Sequence, residues 1–179
     1  AAMQKMGATL KYLNGDMAGL TTMLAVLANN GTKGIEAGTL LRNSMIRLIA
    51  PTKAAAASMD GLELTADDLE EIYQNADSLG DVGDMLEEAG FSAYDAQGKL
   101  KNFITMFEEL SAATEGMSEQ DRNKVLSTIF PTRTITGALA LLDAAKNKWD
   151  GLYDSIRGNG EGYAEYAAET MESGLGGTL

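Results

Sequence analysis

The chain has 179 residues and carries 26 acidic against 14 basic side chains, a net charge of −12, with neither cysteine nor histidine. Disulfides, thiolate metal sites and cysteine nucleophiles are thereby excluded, and so are imidazole ligands, Ser-His-Asp catalysis and the usual near-neutral general base. The negative charge opposes binding to nucleic acid or to an anionic membrane surface, both of which call for a basic patch. Apolar residues make up 45% of the chain, aromatic ones only 6%, and Pro occurs twice. Ala, Leu and Met lose little on entering a helix, so the expected fold class is mainly α: a multi-helix antiparallel bundle broken by glycine turns.

In chain order, Met3, Met6, Leu10 and Leu13 recur at helical spacing before Asn14-Gly15. Asp16 is placed to cap a second helix carrying Leu20, Met23, Leu24 and Leu27, stopped by Asn29-Asn30-Gly31. A third helix is predicted from about Gly34 to Ala50, with Leu41, Met45 and Leu48 on one side. Pro51 breaks or kinks it and suits the first turn of a short continuation through Lys53–Ser58. Thr65 with Asp68 forms a capping-box pattern before a helix bearing Leu69, Ile72, Ala76 and Leu79. Gly80 and Gly83 are expected to loosen the chain before a short stripe of Val82, Met85, Leu86 and Ala89 that Gly90 ends. Residues 91–99 are the one stretch whose pattern allows a small hairpin or irregular turn.

Leu100, Phe103, Ile104, Phe107 and Leu110 restore a helical face, and Ser118 with Asp121 caps the next helix, which Pro131 closes. The last long helix has the most regular pattern. Ile135, Leu142, Trp149 and Ile156 stand seven apart, with Ala138, Ala145 and Leu152 three residues after the first three of them. That is an a/d seam suited to packing against a neighbouring helix, within the chain or in a sister copy. Gly158-Asn159-Gly160 ends it, and a final helix is expected through Tyr163–Met171.

Charge is unevenly placed. Residues 59–98 contain twelve acids and no Lys or Arg, which accounts for the whole net charge. Helical apolar spacing persists there, so residues 60–90 read as a folded acidic helical insertion within a fragment that spans 1–179. Upstream the sign reverses: Lys33, Arg42, Arg47 and Lys53 face a single acid, Glu36, between residues 31 and 58. Docking onto the acidic block, or solvation, is the expected role of these cations, with a partner subunit as the alternative.

Candidate chemistry is sparse. Asn75, Asp77 and Gly80 fall on an EF-hand register, but Leu79 and Leu86 stand where two ligands belong, so no metal is expected. Gly158, Gly160 and Gly162 lack both a preceding strand and the dinucleotide spacing, so no cofactor is expected. The pairs Glu70/Glu71, Glu87/Glu88 and Glu108/Glu109 invite a glycosidase reading, yet adjacent helical side chains diverge by about 100° and do not face each other across a cleft. The ten methionines mostly fall on apolar stripes and are assigned to core filling. No apolar run reaches the roughly 18 to 20 residues of a membrane span, and the start shows no signal-peptide pattern. The opening at Ala1 and the end at Leu179 are those expected of a piece of a longer chain.

Two stretches carry a family pattern. The first is Gly34-Ile35-Glu36-Ala37-Gly38-Thr39-Leu40-Leu41-Arg42-Asn43, continued by Arg47-Leu48-Ile49-Ala50-Pro51-Thr52. The second is Tyr94-Asp95-Ala96-Gln97-Gly98-Lys99, then Leu110, Met117-Ser118-Glu119, Ile129-Phe130-Pro131-Thr132-Arg133 and Gly137-Ala138-Leu139-Ala140-Leu141-Leu142. In this order they resemble the core region of the phage tail tape measure family, over most of residues 20–175. Pro131 stands where that family usually has Gly, and the acidic helices lengthen the span between the two stretches. The resemblance implies a virion protein in the lumen of the tail tube, and in the host cytoplasm during assembly, that acts in tail-length determination. Its partners would be tail tube and tail assembly proteins, with sister copies in addition, and no catalytic residue is carried over. The other function classes are a peptidoglycan-degrading glycosidase module and an acidic adaptor binding a tail chaperone or tube protein.

Overall fold

A computed structural model describes residues 17–59, 64–74, 76–130 and 134–158. The calls on Met3–Leu13, on Asp16, on Pro131 and on a helix at 163–171 lie outside them. The described residues contain nine α-helices and one 3-10 turn, and the mainly α class follows from them.

Helix α1 (Met17–Asn29) and α2 (Gly34–Ile49) are joined as the Asn-Asn-Gly signal requires. Gly31 takes φ +86°, and the amides of Gly31 and Thr32 donate to the carbonyls of Ala28 and Leu27 at 3.1 and 2.9 Å, a Schellman closure. α2 stops where Ala50 turns extended ahead of Pro51. The continuation α3 (Lys53–Ala57) is capped by the Thr52 hydroxyl, which accepts from the Ala55 amide at 3.0 Å. Pro51 therefore precedes the cap and does not sit in the first turn, as the sequence suggested.

The capping box opens α4 (Ala66–Ile72), with both reciprocal bonds between Thr65 and Asp68 formed. α4 ends seven residues before Leu79, which begins α5 (Leu79–Glu88), so the predicted single stripe is two helices. Gly80 and Gly83 lie inside α5 instead of loosening it. Gly83 has a packing reason: a Cβ there would stand 3.3 Å from Cβ of Pro51. A second Schellman closure at Gly90 (φ +89°) then turns Phe91 inward.

The stretch after α5 forms a single antiparallel bridge between Tyr94 and Leu100, with the Asp95 carboxylate accepting from the amides of Gln97 and Lys99. Leu100 thus belongs to this turn and not to the next helix. Asn102 caps α6 (Phe103–Glu115) and Ser118 caps α7 (Glu119–Ile129). α8 (Ile135–Lys146) and α9 (Leu152–Gly158) flank the 3-10 turn Lys148–Gly151, where one long helix was predicted.

The main core gathers α1, α2, α6, α7 and α8, with Val82 and Leu86 of α5 added at its edge. Phe107 and Phe130 meet at 6.3 Å between ring centres in a tilted pair. Met23, Met45 and Met106 are fully buried, which bears out the core-filling role of these methionines. Gly137 lets α8 approach closely, since a Cβ there would stand 3.0 Å from both Leu27 Cδ2 and Thr32 Oγ1. A second, smaller cluster joins Ile46 and Ala50 to Ala56 and Ile72, with Leu69 and Tyr73 packed against it. No helix among the described residues is long and apolar enough to cross a membrane.

Candidate functional site

Of the four cations singled out upstream, three meet the acidic segment. Arg42 Nη2 lies 3.1 Å from Asp68 Oδ1, and Lys53 pairs with Glu70. Burial opposes ionisation of Asp68, but the hydrogen bonds from Thr65 and the Arg42 guanidinium outweigh it and hold the carboxyl below its usual range. Glu70 is lowered through its hydrogen bond with Lys53 and that cation's charge. Lys33 stands exposed at the start of α2 and joins none of these contacts.

Arg47 uses main-chain acceptors instead. Its Nε donates to the Ile72 carbonyl at 2.7 Å and Nη2 to that of Gln74 at 3.2 Å, while Nη1 donates to Thr128. Ile72 ends α4 and Thr128 lies in the last turn of α7, so one guanidinium satisfies carbonyls at two helix C-termini that have no intrahelical partner. Burial lowers the Arg47 pKa from its ordinary value. Beside it, burial pushes the Tyr73 phenol up to about 12, and its hydroxyl donates to the Ala50 carbonyl at 2.6 Å. Sequence reasoning missed this use of Arg47 and Tyr73, because backbone acceptors leave no mark in a charge pattern.

The seven residues of the seam do not form one stripe. Ala138, Leu142, Ala145 and Trp149 are in the main core and Ile156 is buried, while Ile135 and Leu152 are half-buried. Lys148, Trp149 and Asp150 have φ values of 52°, 60° and 51°, which reverses the winding between α8 and α9. Trp149 is 2% exposed, and its Nε1 donates to Glu108 Oε1 at 3.2 Å. α8 packs on α6 and α1, and α9 packs on α1, so these faces are used within the chain.

The carboxylate pairs show no hydrolytic arrangement. Glu70, Glu71, Glu87 and Glu88 are exposed, Glu109 bridges Lys101 at 2.6 Å, and Glu108 serves Trp149. The shifts that do arise among the glutamates, at Glu70 and at Glu115 beside Lys146, are downward, the reverse of what a general acid requires. Leu79 and Leu86 of the EF-hand register are in the apolar interior, and among the described residues no group of acids is placed to hold a metal. A cleft of about 350 Å³ lies between the end of α2 and α5. Its lining is mixed: Leu48, Pro51, Val82, Phe91 and Ile129 with Asp84 and Glu87.

Comparison with known proteins supplies a family for the chain. The family model for phage-related minor tail proteins matches residues 1–130. The chain belongs to the phage-related minor tail protein family. Membership ties the chain to the tails of phages. It is also similar to the tape measure protein of Pneumococcus phage Dp-1, with 32% identity over 152 residues. That alignment covers 85% of the minor tail chain but 11% of the Dp-1 protein, so the chain spans about a ninth of that relative's length. No solved structure matches it.

Proposed function

We propose that this chain is a folded structural segment of a tape measure protein, acting in tail-length determination and tail assembly inside the tail tube. It would lie in the tube lumen of the virion and in the host cytoplasm while tails are built, with tail tube and assembly proteins as its partners. The observation that carries this reading is the 32% identity, over 85% of the chain, to a protein that is itself a tape measure. The fold supports the word folded: the longest described helix, α2, has 16 residues, and Pro51 and the glycine closures turn the chain back on itself. We also read residues 60–90 as an insertion. Its α4 rests on α2 through a cluster of its own and through the Arg42–Asp68 ion pair, apart from the main core.

An in-frame deletion of residues 17–158 from the full-length phage gene tests the proposal, with tail length read by electron microscopy. A straight helical ruler would lose about 210 Å, at roughly 1.5 Å per residue. Failed assembly, or tails shortened by clearly less than that, is the expected outcome. Fully proportional shortening would overturn the folded-segment reading, and an unchanged length distribution would overturn the length role.

A further inference from the structure

Gly80, Gly83, Asp84 and Glu87 recur at helical spacing on α5, and all four line one wall of the cleft between α5 and the end of α2. Leu48, Pro51 and Phe91 give the cleft apolar lining, with Arg47 and Tyr94 among its polar members. Gly83 is accounted for by its contact with Pro51. Gly80 is not: its φ is ordinary for an L-residue, and a Cβ there would meet nothing within 4 Å. Glycine weakens a helix relative to alanine, so neither backbone geometry nor internal packing explains it. What glycine provides at that position is bare backbone beside an open cleft with apolar side chains in its lining.

The rim of the cleft is acidic and unspent. Asp84 and Glu87 are exposed and make no ion pair among the described residues, while Asp81 on the same helix pairs with Lys124 at 3.9 Å. Arg47 lines the cleft, but Nε, Nη1 and Nη2 each donate to a carbonyl, of Ile72, Thr128 and Gln74, so three of its five N–H groups face backbone. No Lys or Arg occurs anywhere between residues 59 and 98 to supply the missing charge.

We propose that this cleft is a docking groove for a basic amphipathic segment of a partner protein. One apolar side chain of the partner enters over Gly80, between α5 and Pro51, and its flanking Lys or Arg residues meet Asp84 and Glu87. Apolar burial sets the position and the charges select a cationic partner over an anionic one. The groove stands on its own geometry and does not depend on the tail-length role.

The test is fluorescence anisotropy with a labelled synthetic amphipathic peptide, Leu on one face and Lys beside it, against the purified chain. The same peptide with Glu for Lys is the control. Saturable binding that weakens with added salt is expected for the Lys peptide alone. Gly80→Leu should fill the groove and weaken binding by at least about tenfold, while the melting temperature holds or rises because leucine is the better helix former. Asp84→Lys with Glu87→Lys should weaken it to a similar degree, whereas the same charge change at Asp143 and Asp154, on α8 and α9, should not. Absence of saturable binding would overturn the proposal, as would unchanged binding by Gly80→Leu or an equal loss from the Asp143/Asp154 variant.

Discussion

Arg47 brings five N–H donors to a place where three backbone carbonyls converge, and two of those carbonyls belong to the ends of different helices. Removing it leaves buried acceptors without partners, which is more costly than losing an exposed ion pair. Arg47→Met is therefore expected to lower unfolding stability by about 3 kcal/mol. Lys53→Met, which breaks a pair with the exposed Glu70, should shift the urea midpoint little. Equal midpoints for Arg47→Met and the parent chain would show that the carbonyls find other donors. Other residue-scale features were legible beforehand. Thr65 with Asp68 and Ser118 with Asp121 are local devices whose partners are three residues apart, so spacing alone identifies them. Asn102 carries the same signal, an Asn directly before an apolar periodic run, but Leu100 extends the apolar spacing past it and hides the cap.

At the scale of elements, periodicity located helices well and their interruptions poorly. The heptad spacing from Ile135 to Ile156 counts residues but says nothing about the sign of φ. Lys148, Trp149 and Asp150 adopt left-handed geometry in succession, at a cost of order 1 kcal/mol per residue. Burial of the Trp149 ring and its bond to Glu108 offset that cost, and neither can be read from residues 135–156 alone. Lys148→Gly should consequently raise stability by about 0.5 kcal/mol, relief of strain outweighing the added freedom of the unfolded chain. Ala144→Gly, four residues earlier in regular helix, should lower it by about 1 kcal/mol. Opposite signs in thermal melts would confirm the break, and a loss at both positions would mean that the helix runs through. Gly83 teaches the same lesson in reverse, because a residue that weakens a helix in isolation is retained where Pro51 presses against it.

For the whole molecule, the contrast is between a large apolar core and a small acidic layer held on its flank. Four seam residues, Ala138, Leu142, Ala145 and Trp149, are consumed in the main core, and among the described residues Leu139 and Ile35 are the large hydrophobics left exposed. The purified chain is accordingly expected to scatter light as a monomer; a dimer lost on Trp149→Ala would return the seam to a role between sister copies. Helical class, the caps, the methionine-filled stripes and the uneven charge were determined by the sequence by itself, since each depends on neighbours within a turn or two. The tertiary structure alone decided which carbonyls Arg47 would serve, where the last long helix would break, and that α5 and Pro51 would leave an acidic-rimmed cleft. Those features join residues up to 81 positions apart, as Arg47 and Thr128 are. Local pattern records what a segment can become, but only packing of distant segments determines which surfaces are covered and which stay open.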